Sequence, residues 1–191
     1  MWRKPPSFKR LAVLLCLVVP ALAWAFVKPV RVVMPGWADV TCAGALCTDD
    51  MRRASEAEQL LAEAQAHVER QVGAFGRRPR VIFCARQACA DYFGLGARSA
   101  VTLASVATVI GPNAWKPHYV RHELLHHAQS DRLGPITLLF KPAWVVEGMA
   151  YGLSEDPRSP LAEPFESQRK AFLDWYGGID HTQLWPELRK L

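Results

Sequence analysis

His122-Glu123-Leu124-Leu125-His126 carries two histidines four positions apart, with a glutamate directly after the first. On an α-helix, positions four apart stack on one face, so His122 and His126 can grip one metal ion. Glu123 lies next along the helix, where its carboxylate can reach water held by that ion. The spacing is the one required for water activation by zinc with a glutamate as general base. Five residues match by chance in unrelated helices, and His118 and His127 make this region rich in histidine. The flanking sequence therefore carries the decision.

Working outward, Pro117 suits a first helical turn and Gly134-Pro135 stops a helix, which predicts a motif helix over 117–133. Upstream, the Val- and Thr-rich run Ala100 to Ile110 reads as a strand, stopped by Gly111-Pro112-Asn113. A shorter strand is expected at Arg80 to Cys84. Before it, Ala57, Leu60, Leu61, Ala64, Val68 and Val72 recur at helical spacing, predicting an amphipathic helix from about Met51 to Ala74, capped by Thr48, Asp49 or Asp50. Downstream, helices are expected over Pro142 to Ser154 and Leu161 to Tyr176. Helix, strands, then three helices is an α+β layout with a short mixed sheet in one domain, 51–191.

Two protein ligands leave zinc short, because catalytic sites commonly use three and water. A third histidine six residues after His126 is ruled out, since position 132 is arginine. Asp131 is nearby, but its helix would have to bend toward its own metal. Trp144-Val145-Val146-Glu147-Gly148-Met149-Ala150 lies further on. Here the chain resembles the gluzincins, small minimal members above all, in which H-E-x-x-H is followed on a second helix by a glutamate within W-x-x-E-G-x-A. Trp144, Glu147, Gly148 and Ala150 match, and the resemblance spans His118 to Leu153. It implies a zincin-like fold, one catalytic Zn2+ held by His122, His126 and Glu147, and peptide-bond hydrolysis with Glu123 as the base. The residues agree with it: an unpartnered carboxylate amid Val145, Val146, Met149 and Ala150 would be costly, and a metal relieves that cost. Gly148 and Ala150 are small enough for the two ligand-bearing helices to approach closely. Trp144 forms a wall of the site or part of the core.

The resemblance also implies an extended peptide substrate laid along an edge strand above the motif helix, for which Ala100 to Ile110 is the candidate. An oxyanion donor beside the metal is required. Tyr151, Tyr176, His127 and His181 are the available groups, and the sequence favours none of them.

The net charge of +5 has a local origin. Arg3, Lys4, Lys9, Arg10, Lys28 and Arg31 precede the first acid, Asp39, and the remainder carries 17 basic against 18 acidic residues. This distribution argues against a nucleic-acid partner. Between Arg10 and Lys28, Leu11 to Val27 has no charge, predicting a signal peptide or a single membrane anchor over 1–28. Either one places residues from about 30 onward outside the cytoplasm, periplasmic or secreted, tethered to the membrane through residues 11–27 where these are retained. Residues 29–50 read as a linker and a Cys-stapled loop. Cys42, Cys47, Cys84 and Cys89 form two Cys-x4-Cys pairs, favouring the bridges Cys42–Cys47 and Cys84–Cys89 over a second metal site made of all four. Beside the peptidase stand two alternatives, a non-catalytic zinc domain of the same fold that binds a peptide or protein partner and a structural zinc protein, and the intact Glu123 favours the peptidase over both.

Overall fold

The computed structural model describes residues 12, 14–19 and 28–191. Most of the expected targeting segment, Leu11 to Val27, lies outside the described residues. Among the described residues no helix is long and apolar enough to cross a membrane.

The architecture is mixed α+β. Strands β1 (Thr41–Ala43), β2 (Leu46–Thr48), β3 (Val81–Phe83), β4 (Ala100–Leu103) and β5 (Ala107–Ile110) form one sheet in the order β1-β2-β3-β5-β4. The central pairs β2–β3 and β3–β5 are parallel, and both outer pairs are antiparallel. The helices are α1 (Ala54–Val72), α2 (Gln87–Tyr92), α3 (Pro117–Leu133), α4 (Pro135–Leu138), α5 (Ala143–Leu153), α6 (Phe165–Tyr176) and α7 (Leu184–Lys190).

Alternating side chains give each strand two apolar faces. Leu46, Val81, Phe83 and Ile110 enter the larger core, shared with α1, α3, α5, α6 and α7. Cys47, Ile82, Ala107 and Val109 enter a smaller core with Val32 and α2 on the opposite face. A sheet buried on both sides explains why β3 is apolar throughout, as parallel central strands are.

Several expectations shift. Ala100 to Ile110 is a hairpin rather than one strand, because the chain reverses at Ala104, whose φ of 47° is left-handed. Thr41 to Thr48, expected in a linker, forms β1 and β2, and Cys42 and Cys47 are direct cross-strand partners. The last expected helix begins at Phe165, after Pro164, and α2, α4 and α7 add to the set. Asp50 caps the chain's turn into α1 by accepting from the Arg52 N–H, whereas Asp49 accepts from the backbone of Ala85 and Arg86.

The bridges Cys42–Cys47 and Cys84–Cys89 are formed. They remove the four-cysteine metal site, since a sulfur in a disulfide has no thiolate to offer. Two disulfides fit an oxidising, extracytoplasmic environment.

Candidate metal centre

Helix α3 is the central element, starting at Pro117 and ending at Gly134, where φ is 88°. Its far side is fastened. Arg121 reaches Glu63 on α1, with Nε 3.0 Å from Oε1, and pairs with Glu155 beyond α5. His67 Nε2 lies 2.7 Å from the carbonyl of Leu153, tying α1 to the end of α5. These ties fix α3 and α5 relative to each other, and those two helices carry the three candidate ligands.

His122, His126 and Glu147 are brought together as a group able to hold a metal ion, their ligand atoms all within 4.8 Å of one another. The two Nε2 atoms are 3.1 Å apart, and they lie 3.6 and 3.7 Å from the Glu147 oxygens. Three atoms each about 2.0–2.1 Å from one tetrahedral ion sit roughly 3.3 Å from each other. The observed separations bracket that value, so the donor set fits a small divalent cation.

Electrostatics agree. Burial, then the neighbouring charge of His126, drives His122 down to about 3. Burial also opposes charge on His126, but the close Glu147 carboxylate and the charge of Glu123 outweigh it and raise His126 to about 9. Glu147 is half-buried, which opposes its charge, yet His126 holds it below the ordinary carboxylate range. The opposed shifts of His122 and His126 reflect two imidazoles and a carboxylate crowded at one point, the arrangement of a donor set in which a cation would compete with protons.

Glu123 is 7 % exposed, and burial pushes its carboxyl upward. Its Oε2 lies 2.7 Å from the Thr102 hydroxyl on β4, which also sits 2.9 Å from the Glu123 carbonyl and 2.9 Å from Thr108 Oγ1. Thr102 has one proton to give, and Thr108 can supply another to it. This pair of threonines anchors the motif helix to the edge of the sheet and aims the carboxylate into the cleft.

Gln129 escaped the sequence. It is fully buried, with Oε1 3.0 Å from His126 Nδ1 and Nε2 donating to the carbonyls of Val145 and Val146 at 3.2 and 2.9 Å. The two carbonyls fix which end of the amide faces them. The amide oxygen therefore faces His126 and accepts from Nδ1–H, leaving the Nε2 lone pair for a metal. Only its place on α3, three residues past His126, hinted at such a role. Gln129→Met, which keeps the volume and loses every hydrogen bond, should weaken divalent-metal affinity about 10- to 100-fold. Chelator-competition titration measures this, and an unchanged affinity would show that Gln129 only packs.

The remaining candidates separate cleanly. Tyr151 meets His122 edge to face, ring centroids 4.3 Å apart, and lines the cleft. His127 points away and meets the carbonyl of Arg77 at 3.0 Å. Tyr176 and His181 stack on each other at 3.8 Å and do not line the cleft. Asp131 accepts from the backbone of Gly76 and Arg77. Trp144 packs edge-on against Trp175 beside the larger core and does not line the cleft. Gly148 does not face α3 as expected: a β-carbon there would meet Gln168 and Phe172 of α6.

The cleft has a volume of about 710 Å3. β4, the strand at the open edge of the sheet, forms one wall through Ala100, Val101 and Thr102. Tyr119, Asp156 and Arg158 close one part of it, and Ile136 and Leu139 border another. Comparison with protein-family models, with curated proteins and with solved structures returned no match.

Proposed function

We propose that the protein is a zinc-dependent peptidase acting outside the cytoplasm, with His122, His126 and Glu147 as metal ligands and Glu123 as general base. One observation carries this: a three-ligand donor set opens on a cleft that also holds a buried carboxylate and a free sheet edge. Structural zinc sites close with four protein ligands, whereas catalytic sites keep a position open. Two imidazoles and one carboxylate suit zinc in particular. Held by His122, His126 and Glu147, zinc would supply Lewis acidity for a substrate carbonyl and would lower the pKa of water at the site to about 7.

The chain's own residues supply the rest. An extended peptide pairs with the free edge of β4, which sets its backbone across the ligand group. Glu123 takes the proton of the attacking water and delivers it to the leaving nitrogen. Burial raises the basicity of its carboxylate, which suits it to accept the proton of water before passing it on. The Thr102 hydroxyl holds the carboxylate at one orientation throughout. The Tyr151 ring confines His122 from the side.

The test uses the purified full-length chain, a library of unstructured peptides and elemental analysis. The expected result is one zinc per chain, hydrolysis that stops on chelation and returns with added zinc, and loss of metal in His122→Ala and Glu147→Ala. Folded protein that binds no zinc, or that binds it and cleaves nothing, sinks the proposal.

A further inference from the structure

Among the described residues, the most exposed large apolar side chains are Ile136, Leu139 and Phe140, at 73, 80 and 83 %. They sit together on α4 and the two residues after it. Leu138 tucks against the larger core and holds this turn in place. Contiguous apolar side chains left in water call for a partner.

The surroundings say which partner. Lys141 follows Phe140, and its ammonium reaches the carbonyl of Arg189 near the end of α7 at 3.3 Å. The Arg189 guanidinium in turn reaches the carbonyl of Arg132 near the end of α3 at 2.9 Å. Lys190 is next in the chain. The acids on these elements are engaged locally: Asp131 accepts from Gly76 and Arg77, and Glu187 pairs with Lys190. Apolar tips flanked by cations match a lipid surface, where the tips enter the acyl boundary and the cations meet phosphate headgroups. A second copy would bring the same cations against this patch, and like charges oppose that. The sequence points to a membrane independently, through the uncharged run Leu11 to Val27 between Arg10 and Lys28.

We infer that Ile136, Leu139 and Phe140 insert into the surface of an anionic membrane while Lys141 and Arg189 contact its headgroups. Ile136 and Leu139 also border the metal cleft. The docked turn therefore holds the cleft at the bilayer, and its substrates are peptide segments lying at that surface. This last step alone rests on the peptidase proposal.

The experiment reads lipid contact and not hydrolysis, so its failure is separate from failure of the enzyme assignment. Full-length protein carrying Cys16→Ser and Thr137→Cys is labelled at position 137 with an environment-sensitive fluorophore. It is then added to phosphatidylcholine vesicles with and without phosphatidylglycerol. The expected result is a blue shift, with quenching by lipids spin-labelled near the headgroup, in the anionic vesicles. Ile136→Ser, Leu139→Ser and Phe140→Ser together should abolish the shift. These residues are exposed, so the fold is unaffected. Neutralising Lys141 should lower the docked fraction about fivefold. A label that stays in water while the chain floats with the vesicles overturns the inference. So does a shift that appears without lipid and grows with protein concentration, which would identify a second copy as the occupant.

Discussion

Glu123→Gln should retain its metal and lose catalysis, with kcat lower by about 100- to 10,000-fold, the range for a positioned general base. The retention half follows from geometry. Glu123 is not one of the three grouped ligands, and the amide oxygen of glutamine can still accept from Thr102. Stability should hold or rise, because the substitution replaces a buried, costly carboxyl with a neutral amide of the same shape. KM should change little, since Glu123 acts on water and proton and does not anchor the peptide. The measurements are kcat and KM on a peptide found in the library, zinc per chain, and Tm. Full activity in this variant would mean that another group takes the proton. Loss of zinc would mean that Glu123 belongs to the ligand set.

What could be seen in the sequence was local chemistry at fixed spacing. His122 and His126 were visible because helical residues four apart share a face whatever the rest of the chain does, and Glu123 because it directly follows the first of them. Cys42–Cys47 and Cys84–Cys89 were visible because two closely spaced pairs of cysteines in an exported chain favour local bridges. Glu147 was identified by a resemblance, and the structure now sets its oxygens 3.6 and 3.7 Å from the two imidazoles. The hairpin turn was hidden because Ala104 occupies a left-handed position without the glycine or asparagine that usually marks one. Gln129 and Thr102 were hidden because their partners, the Val145 and Val146 carbonyls and the Glu123 carboxylate, are set by tertiary packing. Helical periodicity can show that a residue is buried and cannot show what it touches. Gly148 makes the same point in reverse: glycine in a helix announced a close approach, but the direction of that approach came only from the packing of α6.

That packing makes Gly148→Ala the most disruptive small substitution expected in the chain. A β-carbon at 148 would fall 2.3 Å from the carbonyl oxygen of Gln168, 2.9 Å from its carbon and 3.0 Å from Phe172 Cβ. Two of these are backbone atoms, so no rotamer change relieves the clash, and α5 and α6 must separate by about 1 Å. Alanine gains about 1 kcal/mol over glycine in helix propensity. Overpacking against backbone outweighs that gain, for a net loss of about 2–3 kcal/mol, or a fall in Tm of roughly 4–12 °C for a chain of this size. The displaced helix is the one that carries Glu147, the residue immediately before the glycine, so metal affinity should fall at least about tenfold with the stability. Gly152→Ala is the control on the same helix. Its β-carbon meets only side-chain atoms, Phe172 Cδ1 at 3.0 Å and Leu173 Cδ2 at 3.3 Å, which can move aside. It should cost about 1 kcal/mol or less and leave the metal in place. Thermal unfolding and chelator competition on both variants separate the two cases. Equal effects at 148 and 152 would mean that helix flexibility, and not the contact of Gly148 with the Gln168 backbone, sets the position of Glu147.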